Sequence, residues 1–220
     1  NITKKFDAVR RCPDRGFDCE RMAKERLKHF VSKEAFNIDG LGKKIIENFW
    51  ELKFIRFPQD IFKLDYKKIS KLEGWGSLSS SNLKYAIEMK KNINLAKFIY
   101  SLGIRHIGQE NAKLLSNNLK HAENFFNLKQ KENFNEILNI DGIGDTQIKS
   151  IKNFFSNEKN IKVLSELKNI LKIKSDTASS NKGKLKNKTF MFTGKLDGIS
   201  RAEAKSIIEK NSGKIVSNVS

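Results

Sequence analysis

The chain has 220 residues, enough for one or two packed domains, with 38% hydrophobic residues and sixteen Phe to build a core. Lys and Arg outnumber Asp and Glu by 43 to 25, a formal charge of +18. Such an excess is the footprint of a protein that displaces counterions from a polyanion, although charge alone does not separate DNA, RNA and an anionic membrane surface, and part of it can be a solvated face. No apolar run approaches the ~20 residues of a transmembrane helix, and residues 1–11 lack the apolar core of a signal peptide, so a membrane role is not expected.

The chain opens without Met, which leads us to expect that it starts inside a longer protein. Cys12-Pro-Asp-Arg-Gly-Phe-Asp-Cys19 is a compact, turn-rich element. Two cysteines supply half of a four-ligand structural zinc site, so Cys12 and Cys19 are metal candidates that should hold zinc weakly by themselves; two Cys also fit a reducing cytoplasmic compartment. His29 is a candidate third ligand, but a helix-end or core role is expected instead. Helical patterning runs from Glu20 to about Phe30.

Then a motif recurs: Ile38-Asp-Gly-Leu-Gly42, Leu72-Glu-Gly-Trp-Gly76, Ile104-Arg-His-Ile-Gly108 and Ile140-Asp-Gly-Ile-Gly144. The last glycines are separated by 34, 32 and 36 residues, and helical apolar spacing follows each. Solenoid repeats of similar period carry other signatures, which are missing here. After the first hairpin, Ile45, Ile46, Phe49 and Trp50 share a helix face; Pro58 punctuates the connection, and Ile61, Phe62 and Leu64 continue the core. Leu83 and Ile87, with Tyr85, are placed on the next helix, and Ile93 to Leu102 on another. Ile148, Ile151 and Phe155 keep helical spacing, which Ile161, Leu164 and Leu167 extend.

A glycine turn that opens a helix lets a ligand approach the backbone, and its outward amides and the helix dipole suit a phosphate. One such turn is an ordinary connection; four in register on a basic chain point to a nucleic-acid backbone. The candidate contacts are Gly40, Gly42, Lys43, Lys44, Gly74, Gly76, Arg105, His106, Gly108, Gly142, Gly144 and Lys149. His106 stands where the other hairpins have their first glycine. Trp75 is read as a core residue of its hairpin rather than a base-stacking wedge.

Residues 172–187 are polar and Gly/Ser/Lys-rich, the composition of a linker. Beyond them, Thr189 to Thr193 has strand character, Ser200 with Glu203 is a helix start continued by Ala204, Ile207 and Ile208, Gly213 stops the helix, and Lys214 to Val219 reads as a second strand. That is the beginning of an α/β fold, too small to hold a core alone.

The stretches His29 to Gly42, Leu102 to Gly108, Phe192-Thr-Gly-Lys-Leu and Ser200-Arg-Ala-Glu-Ala204 resemble the C-terminal half of bacterial NAD-dependent DNA ligases. The resemblance covers the chain in order. It implies a mainly α architecture: a partial zinc-finger region (1–30), a tandem helix-hairpin-helix domain with four hairpins (31–171), a linker (172–187) and the N-terminal part of a BRCT domain (188–220), a truncated β-α-β segment. The family uses NAD and magnesium in an adenylation domain whose nucleophilic lysine lies in a Lys-x-Asp-Gly motif. Lys195-Leu-Asp197-Gly198 matches that string by letters but falls in the turn after a strand, so no catalytic residue is expected here. The expected partners are nicked double-stranded DNA and the missing N-terminal ligase domains, and the expected setting is a bacterial nucleoid in replication and repair. Thr193 and Gly194 match a BRCT phosphate pocket whose later lysine is missing. Alternatives are a BRCT-containing protein-interaction module, the DNA-binding half of a helix-hairpin-helix repair nuclease, and full ligase activity through Lys195.

Overall fold

The computed structural model describes residues 17, 19–128, 134–175, 184–185, 188–192, 204, 207–208, 211 and 213–216. They fall in two compact units divided between Ser175 and Asp176. Cys12, Thr193, Gly194, Lys195, Ser200 and Glu203 lie outside the described residues.

Among the described residues the first unit is helical, apart from one strand pair. Helix α1 (Glu20–Val31) buries Ala23, Leu27, Phe30 and Val31 at steps of four, three and one. Helix α2 (Lys43–Glu51) buries Ile46, Phe49 and Trp50. A 3-10 helix (Pro58–Lys63) and α3 (Tyr66–Ile69) lead to α4 (Ser77–Met89). Leu83 and Ile87 of α4 are buried, but Tyr85 is exposed, because a residue two past Leu83 turns some 200° to the opposite face.

Two sequence expectations need correction. The helix expected over 93–102 starts at Leu95: Asn92–Asn94 is strand β1, followed by α5 (Leu95–Ser101). Its partner is β2 (Lys172–Lys174), inside the segment expected to be linker. The two run parallel, Asn92 opposite Lys172 and Ile93 opposite Ile173. Ile173 packs against the core in which Ile93 is buried, and that apolar pair explains why Lys172–Lys174 forms a strand despite its two lysines.

The remaining helices are α6 (Gln109–Leu119), α7 (Ala122–Phe126), α8 (Asn135–Leu138), α9 (Asp145–Phe155) and α10 (Glu158–Ile170). The apolar spacing running from Ile148 to Leu167 covers two helices. Asn157 takes an extended backbone, and its side chain accepts the Asn160 N–H, stopping one helix and capping the next. Phe98, Phe125 and Phe155 are fully buried and meet edge to face, Phe125 lying 6.3 Å from Phe98 and 5.3 Å from Phe155.

In the second unit, β3 (Thr189–Phe190) and β4 (Lys214–Ile215) pair in parallel, Thr189 opposite Lys214. Ala204, Ile207 and Ile208, between them in sequence, are helical; Ala204 and Ile208 are buried and Ile207 is exposed. A side chain at Gly213 would run into Ile208 and Phe190, so the glycine permits this close packing.

Candidate nucleic-acid interface

The four hairpins share one backbone design. In each, the N–H of the second apolar residue donates to the carbonyl of the first: Leu41 to Ile38 at 3.3 Å, and Trp75 to Leu72, Ile107 to Ile104 and Ile143 to Ile140 at 3.0 Å. The apolar pair faces inward, and the two residues between them are exposed. The third residue of the turn has a left-handed φ, +85° at Gly40, +75° at Gly74 and +86° at Gly142, as a type II turn requires of glycine. His106 adopts the same region at +62°.

The last glycine of each motif is the N-cap of the next helix, and its carbonyl accepts the first helical bond, from Ile46, Ser80, Ala112 and Ile148. Its own torsions are extended, with φ between −67° and −146°, so the backbone does not require glycine there. A Cβ at Gly42, Gly76 or Gly108 would meet nothing within 4 Å. Asp65 caps α3 and Asn157 caps α10 with side chains, whereas α1, α5, α7 and α8 have no side-chain cap. The glycine caps of the hairpins likewise leave the first-turn amides without a side-chain acceptor.

The hairpins pack in two pairs. A side chain at Gly40 would touch Leu83 of α4, and Phe49 of α2 lies 5.6 Å from Trp75, which is half-buried against the core. A side chain at Gly142 would meet Leu114 of α6 at 2.9 Å. Hairpin one is thus set against the helix of hairpin two, and hairpin four against the helix of hairpin three. Trp75 therefore packs against the core of its pair from a half-buried position.

The four tips differ chemically. Lys43 and Lys44 occupy the first two positions of α2 and are exposed. Cations at the positive end of a helix are unfavourable alone and become favourable beside an anion. Arg105 and His106 are exposed at the third tip. The fourth carries Asp141 and Asp145, with Lys149 one turn further on, a net charge that does not favour a phosphate. At the second tip the Gly76 N–H is already engaged, donating to Ser79 Oγ at 2.9 Å, and the residue in the place of Lys44 is Leu78. The equivalence of the four motifs in sequence therefore does not extend to their tips. Sequence reading missed Ser79 and Asn111, both three residues after a glycine cap. Asn111 Nδ2 donates to the His106 carbonyl at 3.0 Å and fixes the third turn.

Helix α1 steadies α2 through two lysines. Lys24 Nζ lies 2.7 Å from Glu20 and 2.6 Å from Glu51, and Lys28 Nζ lies 2.7 Å from both Glu25 and Glu47. The lysine hydrogen bonds hold the Glu20 and Glu47 carboxyls below the usual carboxylate range. A depressed folded pKa stabilises above the unfolded value and is lost as pH falls through the folded one. Thermal melts between pH 6 and pH 3 should show an acid limb that Glu47→Gln flattens and high salt weakens; equal limbs in both proteins would dismiss the α1–α2 pairs.

His29 is committed to the core. Its Nε2 lies 2.8 Å from the Tyr100 carbonyl, its ring packs edge to face on Tyr100, and Gly103 sits against it. This is the helix-end role expected for it. Cys19 is the N-cap of α1 and half-buried. Among the described residues no cluster of three His, Cys, Asp or Glu side chains could hold a metal, and no helix is long and apolar enough to cross a membrane.

The helix-hairpin-helix motif family matches residues 97–164, which contain the third and fourth hairpins. The chain is 67% identical to a DNA ligase of Pelagibacter ubique over 217 residues, 99% of this chain and 32% of that protein. It is 44% identical over 214 residues to a DNA ligase of Wolbachia pipientis and 41% identical over 226 residues to one of Rickettsia bellii, each time covering 33% of the relative. The chain spans about a third of the length of the curated relatives it matches, and along nearly all of its own length it is related to DNA ligases, as its motifs indicated.

Proposed function

We propose that this chain is the DNA-binding portion of an NAD-dependent DNA ligase and that it holds nicked duplex DNA by its sugar-phosphate backbones. The observation that carries the reading is the set of glycine N-caps with extended torsions, with open space at Gly42, Gly76 and Gly108, where a side-chain cap would stabilise the helix better. A phosphate brought against bare amides and a helix dipole supplies the missing partner. The formal charge of +18 and the similarity to DNA ligases agree with it. The contacts in this reading are led by Gly42, Lys43 and Lys44 at the first tip and Arg105, His106 and Gly108 at the third. Gly142, Gly144 and Lys149 at the fourth and Gly40, Gly74 and Gly76 complete the four-hairpin set. Such contacts position the protein on the duplex and carry little sequence information.

NAD and magnesium chemistry then belongs to the parent ligase outside this chain. Cys12 and Cys19 become half of a zinc site, and residues 188–220 become part of a BRCT domain with Thr193 and Gly194 at its phosphate pocket. In a cell, the protein would sit on the nucleoid.

Anisotropy titrations of a labelled nicked duplex between 50 and 200 mM salt test the grip. Affinity should fall by orders of magnitude across that range and vary little with sequence. Lys43→Ala with Lys44→Ala should weaken binding about tenfold and reduce the salt slope by about 1 to 2. A salt-independent affinity would overturn the reading.

A further inference from the structure

Helix α4 carries an apolar stripe on the side turned away from the core. Its buried residues are Ser80, Leu83 and Ile87, whereas Leu78, Tyr85 and Met89 are 74%, 68% and 57% exposed. At about 100° per residue, these three fall within about 40° of one another and lie opposite the buried face. With Asn82 between them they follow the four-three-four spacing of a helix-pairing seam, about 16 Å long at ~1.5 Å per residue. An apolar residue at the edge of a buried face can extend a core, but a stripe directly opposite that face adds nothing to this fold.

The other hairpin helices provide an internal comparison. Counted from the glycine cap, Leu78 corresponds to Lys44 of α2, Glu110 of α6 and Thr146 of α9, and Tyr85 corresponds to Glu51, Asn117 and Asn153. Those six are all polar and exposed. The stripe is therefore a property of α4 and not of the repeated motif. Its surroundings are basic. Lys84 is exposed beside Tyr85, and α3, fastened to α4 by Ser80 Oγ donating to the Tyr66 carbonyl at 2.8 Å, carries exposed Lys67 and Lys68. Residues 66–91 hold six lysines against two glutamates, and one of these, Glu88, is engaged by Lys91 at 2.7 Å.

We propose that the outer face of α4 is a docking site for an acidic amphipathic helix of a partner protein, with Leu78, Tyr85 and Met89 packing on its apolar residues and Lys84 and the neighbouring lysines meeting its carboxylates. Charge decides against a second copy of this chain, because two molecules of +18 would bring the same lysines together. The size of the stripe fits a transient partner, since three side chains cover far less than the roughly 800 Å² per partner of a standard stable interface. Docking here uses none of the residues assigned to the duplex, so the two activities can be tested apart.

The probe is a synthetic helix of about 21 residues with a leucine seam flanked by glutamates, titrated into the isotope-labelled 220-residue chain and followed by amide chemical shifts. Shifts should concentrate on residues 77–91 and saturate with a Kd on the order of 10–100 µM. A peptide of the same composition with the leucines shuffled off the seam, and one with lysine in place of glutamate, should each bind at least about tenfold more weakly. Leu78→Gln with Tyr85→Gln should lose at least about tenfold in affinity for the acidic helix and keep the native melting midpoint, because both side chains stand in solvent. Equal binding of the shuffled peptide, shifts centred elsewhere, or indifference to the double variant overturns the docking site. So does a loss of nicked-duplex affinity in the double variant, which would assign the stripe to DNA. A concentration-dependent dimer in sedimentation that the double variant abolishes would assign it to a second copy and overturn the docking site equally.

Discussion

Replacing Asn160 by Ala should lower the thermal midpoint by on the order of 10 °C, more than any surface change in the hairpins. Asn160 is 4% exposed and joins three helices. Its backbone N–H takes the Asn157 cap at 3.1 Å, its Nδ2 donates to the Phe154 carbonyl at the end of α9 at 3.0 Å, and its Oδ1 accepts from Arg26 of α1 at 3.1 Å. Arg26 also lies over the Phe17 ring, and burial pushes its guanidinium pKa down. Alanine leaves a desolvated cation without this acceptor and takes one donor from the Phe154 carbonyl, which keeps the Asn157 N–H at 3.4 Å. A hydrogen bond to a charged group contributes about 1.5–3 kcal/mol, and an orphaned buried polar group costs about 1–3 kcal/mol, so a combined loss of about 3 kcal/mol is expected. Asn160→Asp keeps an acceptor for Arg26 but sets a carboxylate against the Phe154 carbonyl, and should fall between alanine and the native protein. Calorimetry on the three proteins checks the order; an unchanged midpoint for Asn160→Ala would remove Asn160 as the tie. Duplex binding well below the midpoint should survive, because Asn160 belongs to none of the hairpin tips.

Much of the first unit could be read from apolar spacing. Leu27 and Phe30, Phe49 and Trp50, and Ile148, Ile151 and Phe155 are buried where helical periodicity puts them. Their signal survives because each helix buries one stripe. Tyr85 is on the expected helix but exposed, because it lies across the helix axis from Leu83 and Ile87. The β1–β2 pair was hidden for another reason. Three-residue strands have no measurable period, and Lys-Ile-Lys acquires its meaning only when Ile93 arrives from eighty residues away. The helix break at Asn157 was written in a good capping residue, overridden by apolar spacing that continued past it. At the hairpins, sequence located every turn and every glycine, but the difference between their tips depended on groups three residues further on. Ser79 occupies the Gly76 amide and Asn111 fixes His106, and side-chain bonds of that kind are decided by rotamer and not by letter.

The glycine caps offer the sharpest contrast between stability and binding. Gly42 and Gly108 have N-cap torsions that aspartate adopts readily, φ −67° and −81°, with room for a side chain. Aspartate there would accept a first-turn N–H and oppose the helix dipole, gaining a few tenths to about 1 kcal/mol per site. Gly42→Asp with Gly108→Asp should therefore melt one to a few degrees higher than the native chain, by roughly 2–4 °C per kcal/mol. The same carboxylates would fill the space and the charge that a phosphate needs. Affinity for nicked duplex should fall by about tenfold per site, since each adds repulsion where an anion was to sit and consumes an amide. Serine at both positions separates the two effects: it caps without charge, so its melting gain should approach that of aspartate while its binding loss is smaller. A stabilised double-aspartate protein with native affinity would show that the caps face solvent and never the duplex. A destabilised one would mean that glycine serves the fold at these positions, and phosphate binding would no longer explain the bare caps.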